Sequence, residues 1–73
     1  MAVQIVMDRS GDSRFLFDPA SAEEVAEAER RFRQLTHRGF TAAARVAPGQ
    51  MKIIRSFDPR VEESVFFPRL VGG

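Results

Sequence analysis

Residues 21–39 read SAEEVAEAERRFRQLTHRG, and this stretch predicts one amphipathic helix. Ser21 and Glu24 have capping-box spacing, in which the serine hydroxyl and the glutamate carboxylate accept hydrogen bonds from free N–H groups of the first turn. Apolar residues recur every three or four positions from residue 22 to residue 35, which makes a single apolar stripe. Gly39 has the position of a typical C′ residue. We therefore expect a helix of about 16 residues with one face packed against a sheet.

The charged residues of this helix are placed as its dipole favours. Glu27 and Glu29 precede Arg31 and Arg33 by four residues, which is the favourable spacing and direction for ion pairs. His37, the only histidine, comes at the carboxyl end, where the dipole stabilises an imidazolium. No second ligand lies at zinc spacing, so we interpret His37 as a capping residue without a metal or catalytic role.

Two apolar runs, residues 3–7 and 14–17, precede the helix, and the segment 8–13 between them is rich in turn formers. Two strand-like runs joined by a glycine-containing turn predict a β-hairpin. We interpret Asp8 and Asp12 as turn residues, because this segment lacks the final glutamate of a calcium-binding loop.

Beyond the helix the apolar pattern changes to a period of two residues. Residues 40–46 and 51–57 alternate in this way, and Pro48-Gly49 between them fits the two central positions of a type II turn. The sequence therefore predicts a second hairpin after the helix.

The end of the chain predicts one more strand. Residues 60–63 read RVEE, and we expect a polar connector or a single helical turn in which Glu62 and Glu63 are solvated. Residues 64–67 read SVFF and predict the last strand. Pro68 is expected to end its pairing, since proline has no N–H to donate.

The predicted order is strand, strand, helix, strand, strand, strand. One helix that covers one sheet gives a two-layer α+β domain with a mixed sheet of four or five strands. A chain of 73 residues with 44% hydrophobic and 29% charged residues is long enough for one globular domain and no more. We divide it into a domain, residues 1–68, and a flexible tail, residues 69–73.

Composition argues against several functions. The chain has no cysteine, which excludes disulfides and thiolate chemistry and fits a reducing, cytoplasmic setting. The amino-terminal residues lack both a basic region and a long apolar stretch, so we expect neither a signal peptide nor a membrane span. The net charge is +1 with the charges interspersed, unlike a nucleic-acid-binding face. No catalytic triad or phosphate loop is present, and we do not expect an enzyme.

Seven phenylalanines give the chain a large aromatic content, and most of them should lie in the core. Phe66 and Phe67 are neighbours on the predicted last strand. Side chains alternate between the two faces of a strand, so one of this pair should lie outside the layer that the helix covers. Phe66 and Phe67 are therefore candidates for a partner surface.

Gly72 and Gly73 end the sequence with two residues that lack a side chain. Such a backbone can pass through a channel that is too narrow for other residues. A terminal carboxyl group titrates near pH ~3.5, so at neutral pH it is an anion that can attack the α-phosphate of ATP. The acyl-adenylate can then pass to a thiol, a sulfide or an amine.

With these features in place, the chain resembles the β-grasp proteins of the ubiquitin and sulfur-carrier type. The likeness lies in the opening hairpin (residues 3–17), in the single helix entered through residues 18–21, and in the ending FFPRLVGG (residues 66–73), which is similar to the tail of the molybdopterin-synthase small subunit. The Pro48-Gly49 hairpin has a different place in the chain from the segment that joins the helix to the last strand in the sulfur carriers. The resemblance therefore favours a divergent modifier, similar in kind to bacterial ubiquitin-like modifiers.

The resemblance also implies roles for the tail. Gly73 would be the residue that is activated and covalently attached, and Gly72 would give it reach. Arg69, Leu70 and Val71 would be recognised by the activating enzyme. The implied partners are an adenylating enzyme that uses ATP, a conjugating enzyme, a deconjugating protease and the target proteins. The chain itself would need neither a cofactor nor a metal.

Three functions remain open from the sequence. The first is a ubiquitin-like modifier joined to target amines or hydroxyls through Gly73. The second is a sulfur carrier, in which Gly73 becomes a thiocarboxylate. The third is a non-covalent binding module in which Gly-Gly is a chance ending. Lys52 is the only lysine, so it and the amino terminus are the only primary amines of the chain.

Overall fold

The computed structural model describes residues 1–69 of the chain. Its elements follow the predicted order: β1 (Ala2–Asp8), β2 (Gly11–Phe17), α1 (Ala22–His37), β3 (Phe40–Ala47), β4 (Gln50–Ile54) and β5 (Glu63–Pro68).

All five strands form one mixed sheet in the order β2-β1-β5-β3-β4. β1 and β5 are parallel, whereas the β1–β2, β3–β5 and β3–β4 pairs are antiparallel. α1 packs on one face of this sheet, which confirms the predicted α+β class and gives a β-grasp-like arrangement. The last strand of the chain thus lies in the middle of the sheet.

Both ends of α1 are fixed by local hydrogen bonds. The Ser21 hydroxyl accepts from the Glu24 N–H at 3.3 Å, as the capping box predicts. The Glu24 carboxylate, however, accepts from the Asp18 N–H at 2.9 Å, because the Ser21 N–H already donates to the Asp18 carbonyl. At the other end Gly39 has a φ of 98°, a region that side-chain-bearing residues rarely adopt, and its N–H donates to the Thr36 carbonyl.

The core lies between α1 and the sheet and is built largely from aromatic rings. Phe66 on β5 is fully buried, and its ring meets that of Phe32 edge to face at a centroid distance of 5.6 Å. Phe57 lies 6.0 Å from both Phe32 and Phe17 and joins the two halves of the core. Phe57 was predicted to continue β4, but β4 ends at Ile54 and the chain then turns Phe57 towards α1.

A buried polar contact joins α1 to β1. Gln4 is 1% exposed, and its Nε2 donates to the Ala28 carbonyl at 3.0 Å. Arg31 Nη1 donates to Gln4 Oε1 at 2.8 Å, and the guanidinium lies 4.1 Å from the centre of the Phe15 ring. The predicted pair of Glu27 with Arg31 is therefore wrong, because Arg31 turns inward to satisfy a buried amide.

Arg31→Met is expected to destabilise the domain by about 1–3 kcal/mol, because Gln4 Oε1 loses its partner in a buried position. Arg33→Met is the matched control. Arg33 makes the predicted exposed ion pair with Glu29 at 3.1 Å, and losing such a pair costs about 0.5 kcal/mol or less. Urea unfolding of both variants measures the difference. Equal effects would show that the Gln4 contact contributes nothing beyond a surface pair.

The first hairpin has a shorter turn than the segment 8–13 that the sequence indicates. Strand pairing extends to Asp8 opposite Gly11, which leaves two residues between them. Asp8 Oδ1 accepts from both the N–H and the hydroxyl of Ser10, at 2.8 and 2.6 Å. Asp8 is thus the last residue of β1 and its side chain holds the turn, as predicted, while Asp12 belongs to β2.

Candidate functional site

The predicted site residues follow the central strand of the sheet. β5 is paired with β1 on one side and with β3 on the other, and its last pair is Pro68 with Phe40. Arg69 comes next and is exposed. Leu70, Val71, Gly72 and Gly73 lie outside the described residues, so the roles predicted for them stay predictions.

A cleft of about 470 Å³ opens where the chain leaves β5. Its walls come from the end of α1, from the first residues of β3 and from the end of β4. Arg69 and Arg55 both line it, together with Thr36, Phe40 and Ile54. The chain therefore leaves the sheet at a cleft that two arginines line.

Phe66 and Phe67 lie on opposite faces of β5, as strand alternation requires. Phe66 is 0% exposed and belongs to the core, so it is not the one of the two candidates that lies outside the helix-covered layer. Phe67 is 36% exposed and lies on the face of the sheet that α1 does not cover. Of the two phenylalanines, only Phe67 is accessible to a partner.

The uncovered face is formed by every second residue of each strand, since the residues between them point towards α1. From β2 to β4 they are Asp12, Arg14, Leu16, Val3, Ile5, Met7, Glu63, Val65, Phe67, Thr41, Ala43, Arg45, Met51 and Ile53. Leu16, Met7, Met51 and Ile53 are large apolar side chains exposed there together with Phe67.

Sequence reasoning predicted only one residue on this face, either Phe66 or Phe67, although a signal for the rest was present. Residues 3–7 are apolar at nearly every position, so β1 carries apolar side chains towards both faces of the sheet. In β4, Met51 and Ile53 alternate with Lys52, and Ile54 packs into the core. A strand that is apolar on both faces indicates a sheet with two apolar surfaces, of which one helix can cover only one.

One ion pair lies at the edge of the uncovered face. Arg45 on β3 donates from Nε and Nη2 to Glu63 Oε2 on β5, at 2.9 and 2.8 Å. Glu63 is thus the first residue of β5 and is paired, while Glu62 lies in the connector, where its carbonyl accepts from the Val3 N–H at 2.8 Å. The polar connector predicted for residues 60–63 is present in part, and it forms no helical turn.

The shifted carboxyl groups belong to turns. Hydrogen bonds from the Ser10 hydroxyl and N–H lower the pKa of Asp8. Hydrogen bonds from the Arg60 side chain and N–H lower the pKa of Asp58. A general acid that works near neutral pH needs a raised carboxyl pKa, so neither residue has the environment of one.

His37, which the sequence indicates as a capping residue, is the exposed last residue of α1. Within residues 1–69 no three His or acidic side chains come together as a metal site requires. In the same part of the chain, no helix combines the length and the apolar character needed to cross a bilayer.

Comparisons with protein-family models, with curated protein sequences and with solved structures found no match to this chain. The features of the molecule that bear on function are the β-grasp-like topology, the residues at the end of β5 and the sequence of the tail.

Proposed function

We propose that this domain is a ubiquitin-like modifier whose Gly73 carboxyl group is joined to target proteins. The observation that carries the proposal is the central position of β5, which ends at Pro68 directly before the segment Arg69–Gly73 with its final Gly-Gly. A strand held on both sides gives the tail a fixed starting point. The proposal requires a free carboxyl group on Gly73.

The chemistry proceeds in three transfers. The Gly73 carboxylate attacks the α-phosphate of ATP on a partner adenylating enzyme and releases pyrophosphate. An enzyme thiol then attacks the acyl-adenylate, which forms a thioester and releases AMP. Finally a target amine attacks the thioester, which forms an amide and returns the thiol. The domain is the substrate of these steps and needs no cofactor or metal of its own; a conjugating enzyme and a deconjugating protease complete the cytoplasmic pathway.

Recognition in this proposal is divided between the tail and the sheet. Arg69, Leu70 and Val71 are read in the channel of the activating enzyme, and Gly72 lets the backbone pass. Arg69 and Arg55 at the cleft offer charge-assisted hydrogen bonds to a partner carboxylate. Phe67 offers an exposed aromatic side chain on the uncovered face, of the kind that is enriched at interfaces.

A sulfur carrier is the second candidate, and the sequence Phe66-Phe67-Pro68 before the tail favours it. In that reaction a sulfide equivalent attacks the acyl-adenylate, so that Gly73 becomes a thiocarboxylate and AMP leaves. Intact mass of the protein after co-expression with the adenylating enzyme encoded nearest to it separates the two. Heavier species on other proteins support the modifier, whereas exchange of one oxygen for sulfur on the free protein supports the carrier.

A chance Gly-Gly on a non-covalent binding module is the third candidate. Removing residues 70–73 distinguishes it from the other two, since a module of this kind keeps its partner binding without them. Loss of partner binding or of the cellular phenotype in the truncated protein argues against it.

Lys52→Arg is expected to remove all self-conjugates that are linked through a side chain, while conjugates on other proteins persist. Lys52 is the only lysine and is exposed on β4. Trypsin cleaves after Arg69, so peptide mapping detects a Leu-Val-Gly-Gly remnant on the acceptor amine. A remnant on the amino terminus in both the wild-type and the Lys52→Arg protein would show that Lys52 is not the acceptor. Loss of all conjugates in the variant would instead point to a role of Lys52 in activation.

A further inference from the structure

One hydrogen bond fixes the direction of the backbone groups throughout the sheet. The Val3 N–H donates to the Glu62 carbonyl at 2.8 Å, and Val3 is paired with Glu63, so the N–H and C=O of Val3 both face β5. Successive residues of a strand direct these groups to opposite sides. The strand registers therefore determine which residues of each edge strand face inward and which face outward.

The backbone groups of β4 are assigned by following the pairs across the sheet. On β5 the odd-numbered residues face β3, and on β3 the even-numbered residues then face β4. Lys52 and Ile54 therefore exchange hydrogen bonds with β3, whereas Met51 and Ile53 direct their N–H and C=O groups away from the sheet. Within residues 1–69 neither a strand nor a loop hydrogen bond takes up these outward groups.

The edge of the sheet at β4 is apolar, whereas the edge at β2 is charged. Met51 and Ile53 are 44% and 54% exposed. On β2 the same reasoning gives Asp12, Arg14 and Leu16 as the outward residues, and two of these are charged. Charged side chains on an edge strand oppose the addition of another strand. β4 is therefore the edge that is suited to accept one.

The charges at β4 are all positive. Lys52 lies between Met51 and Ile53 and is exposed, no acid lies on β4, and the exposed Arg55 follows directly after it. These charges favour an acidic strand as the occupant of this edge.

The same lysine makes a second copy of the chain a poor occupant. The antiparallel register that pairs Met51 of one copy with Ile53 of the other places Lys52 opposite the Lys52 of the second copy. Like charges directly opposite each other on neighbouring strands are destabilising, whereas opposite charges there are stabilising.

We propose that β4 binds an extended peptide segment of a partner protein, which adds to the sheet as a further strand antiparallel to β4. The segment has the pattern apolar, acidic, apolar. Its two apolar residues pair with Met51 and Ile53, and its acidic residue lies opposite Lys52. The proposal does not rest on the function proposed above.

Backbone and side chains have separate roles in this arrangement. The two apolar residues of the segment exchange both backbone hydrogen bonds with Met51 and Ile53, and their side chains extend the apolar surface of the uncovered face. The acidic residue lies opposite Lys52 in a pair without hydrogen bonds, in which the Cα atoms are about 4.5 Å apart and the side chains are closest. A ladder this short binds weakly, so we expect a Kd on the order of 100 μM or higher.

Titration of the isotope-labelled chain with blocked peptides, followed by nuclear magnetic resonance, tests the proposal. The probe is Thr-Val-Glu-Val-Thr, and the control peptide is Thr-Val-Lys-Val-Thr. The probe is expected to shift the amide signals of Met51 and Ile53 most and to leave those of β2 nearly unchanged. The control peptide is expected to bind at least about threefold more weakly, because its lysine meets Lys52.

A charge reversal on the protein provides the matched variants. Lys52→Glu is expected to invert the preference, so that the lysine peptide binds at least about threefold better than the glutamate peptide. Arg14→Glu makes the same change of charge at an exposed residue of the other edge strand, and it is expected to leave the preference unchanged. A gain of binding to the lysine peptide cannot come from a misfolded variant.

Methylation of the peptide nitrogens tests the antiparallel ladder. The N–H groups of the two valines face β4 in this arrangement, whereas the N–H of the glutamate points away. Methylating both valine nitrogens is expected to abolish binding, and methylating the glutamate nitrogen to preserve it. The reverse result would contradict the antiparallel register.

The proposed site is wrong if the probe causes no shifts on β4 at about 10 mM, where even a Kd of about 1 mM gives near saturation. Shifts confined to β2 would assign strand addition to the other edge. Equal affinities of the glutamate and lysine peptides for the wild-type chain would rule out recognition of an acid by Lys52.

Discussion

Deletion of Gly73 is expected to lower conjugation more than about 100-fold. It moves the reacting carboxyl group back by one residue, about 3.5 Å. Misplacement of a reacting group by about 1 Å can already lower a rate about 100-fold. The fold should be unaffected. The last pair of the sheet joins Pro68 to Phe40, five residues before the deleted one. Conjugation by the co-expressed adenylating enzyme and thermal unfolding are measured on the same preparation.

Gly73→Ala is the companion variant, because it keeps the carboxylate and adds only a methyl group. It is also expected to abolish conjugation if the enzyme's channel admits only backbone at this position. Conjugates that persist at the wild-type level in either variant would contradict the proposed modifier. A fall in the unfolding temperature would instead show that the final residues pack on the domain, and the loss of conjugation would then have a second explanation.

Phe66→Ala is expected to be the most destabilising single truncation in the core, at about 3–5 kcal/mol. Phe66 is the largest of the described side chains with less than 2% exposure, and it lies on the central strand with its ring against Phe32. A domain of this size has a total stability of roughly 5 kcal/mol, so the variant should be largely unfolded at 37 °C.

Phe67→Ala is the control that the chain itself provides. The two residues are adjacent on β5, have the same side chain and differ only in the face that they occupy. Phe67 is 36% exposed, so we expect a loss of about 1 kcal/mol or less. Urea unfolding followed by circular dichroism measures both variants. If Phe67→Ala is as costly as Phe66→Ala, the second face of the sheet is part of the folding core and is not a free surface.

The helix could be predicted closely because its signals are local. Ser21 and Gly39 mark its two ends through hydrogen bonds to groups within four residues, and the apolar stripe between them follows from helix geometry alone. Strand identity was also predictable, since period-two alternation depends only on neighbouring residues.

The structure differs from the sequence predictions where residues that are distant in sequence come into contact. Arg31 has Glu27 one turn away, yet it reaches β1, because the buried Gln4 amide needs a partner and no local rule contains that requirement. Phe57 departs from the alternation of β4 because its ring packs in the core against Phe17 and Phe32. Phe66 and Phe67 could be placed on opposite faces from the sequence, but which of them faces the helix depends on the register of β5 in the sheet.

The candidate site was predictable only as a sequence motif. Gly72 and Gly73 indicate that the terminal carboxyl group is the reacting group, because they lack side chains. This signal can be read from the sequence without knowing the fold. The exposed apolar face around Phe67 was harder to foresee, because it combines Ile5 and Leu16 of the first hairpin with Met51 of β4, which follows the helix in sequence.

The parallel pairing of β1 and β5 has a mechanical consequence. β1 begins at Ala2 and β5 ends at Pro68, so the chain enters β1 and leaves β5 at opposite ends of two adjacent parallel strands. A force that pulls the ends apart loads the hydrogen bonds between these strands in shear, and they must break together and not one after another. A motor that pulls on the tail must also break the pairing of β5 with β3. The domain is therefore expected to resist traction from its carboxyl end far better than its small core alone would suggest.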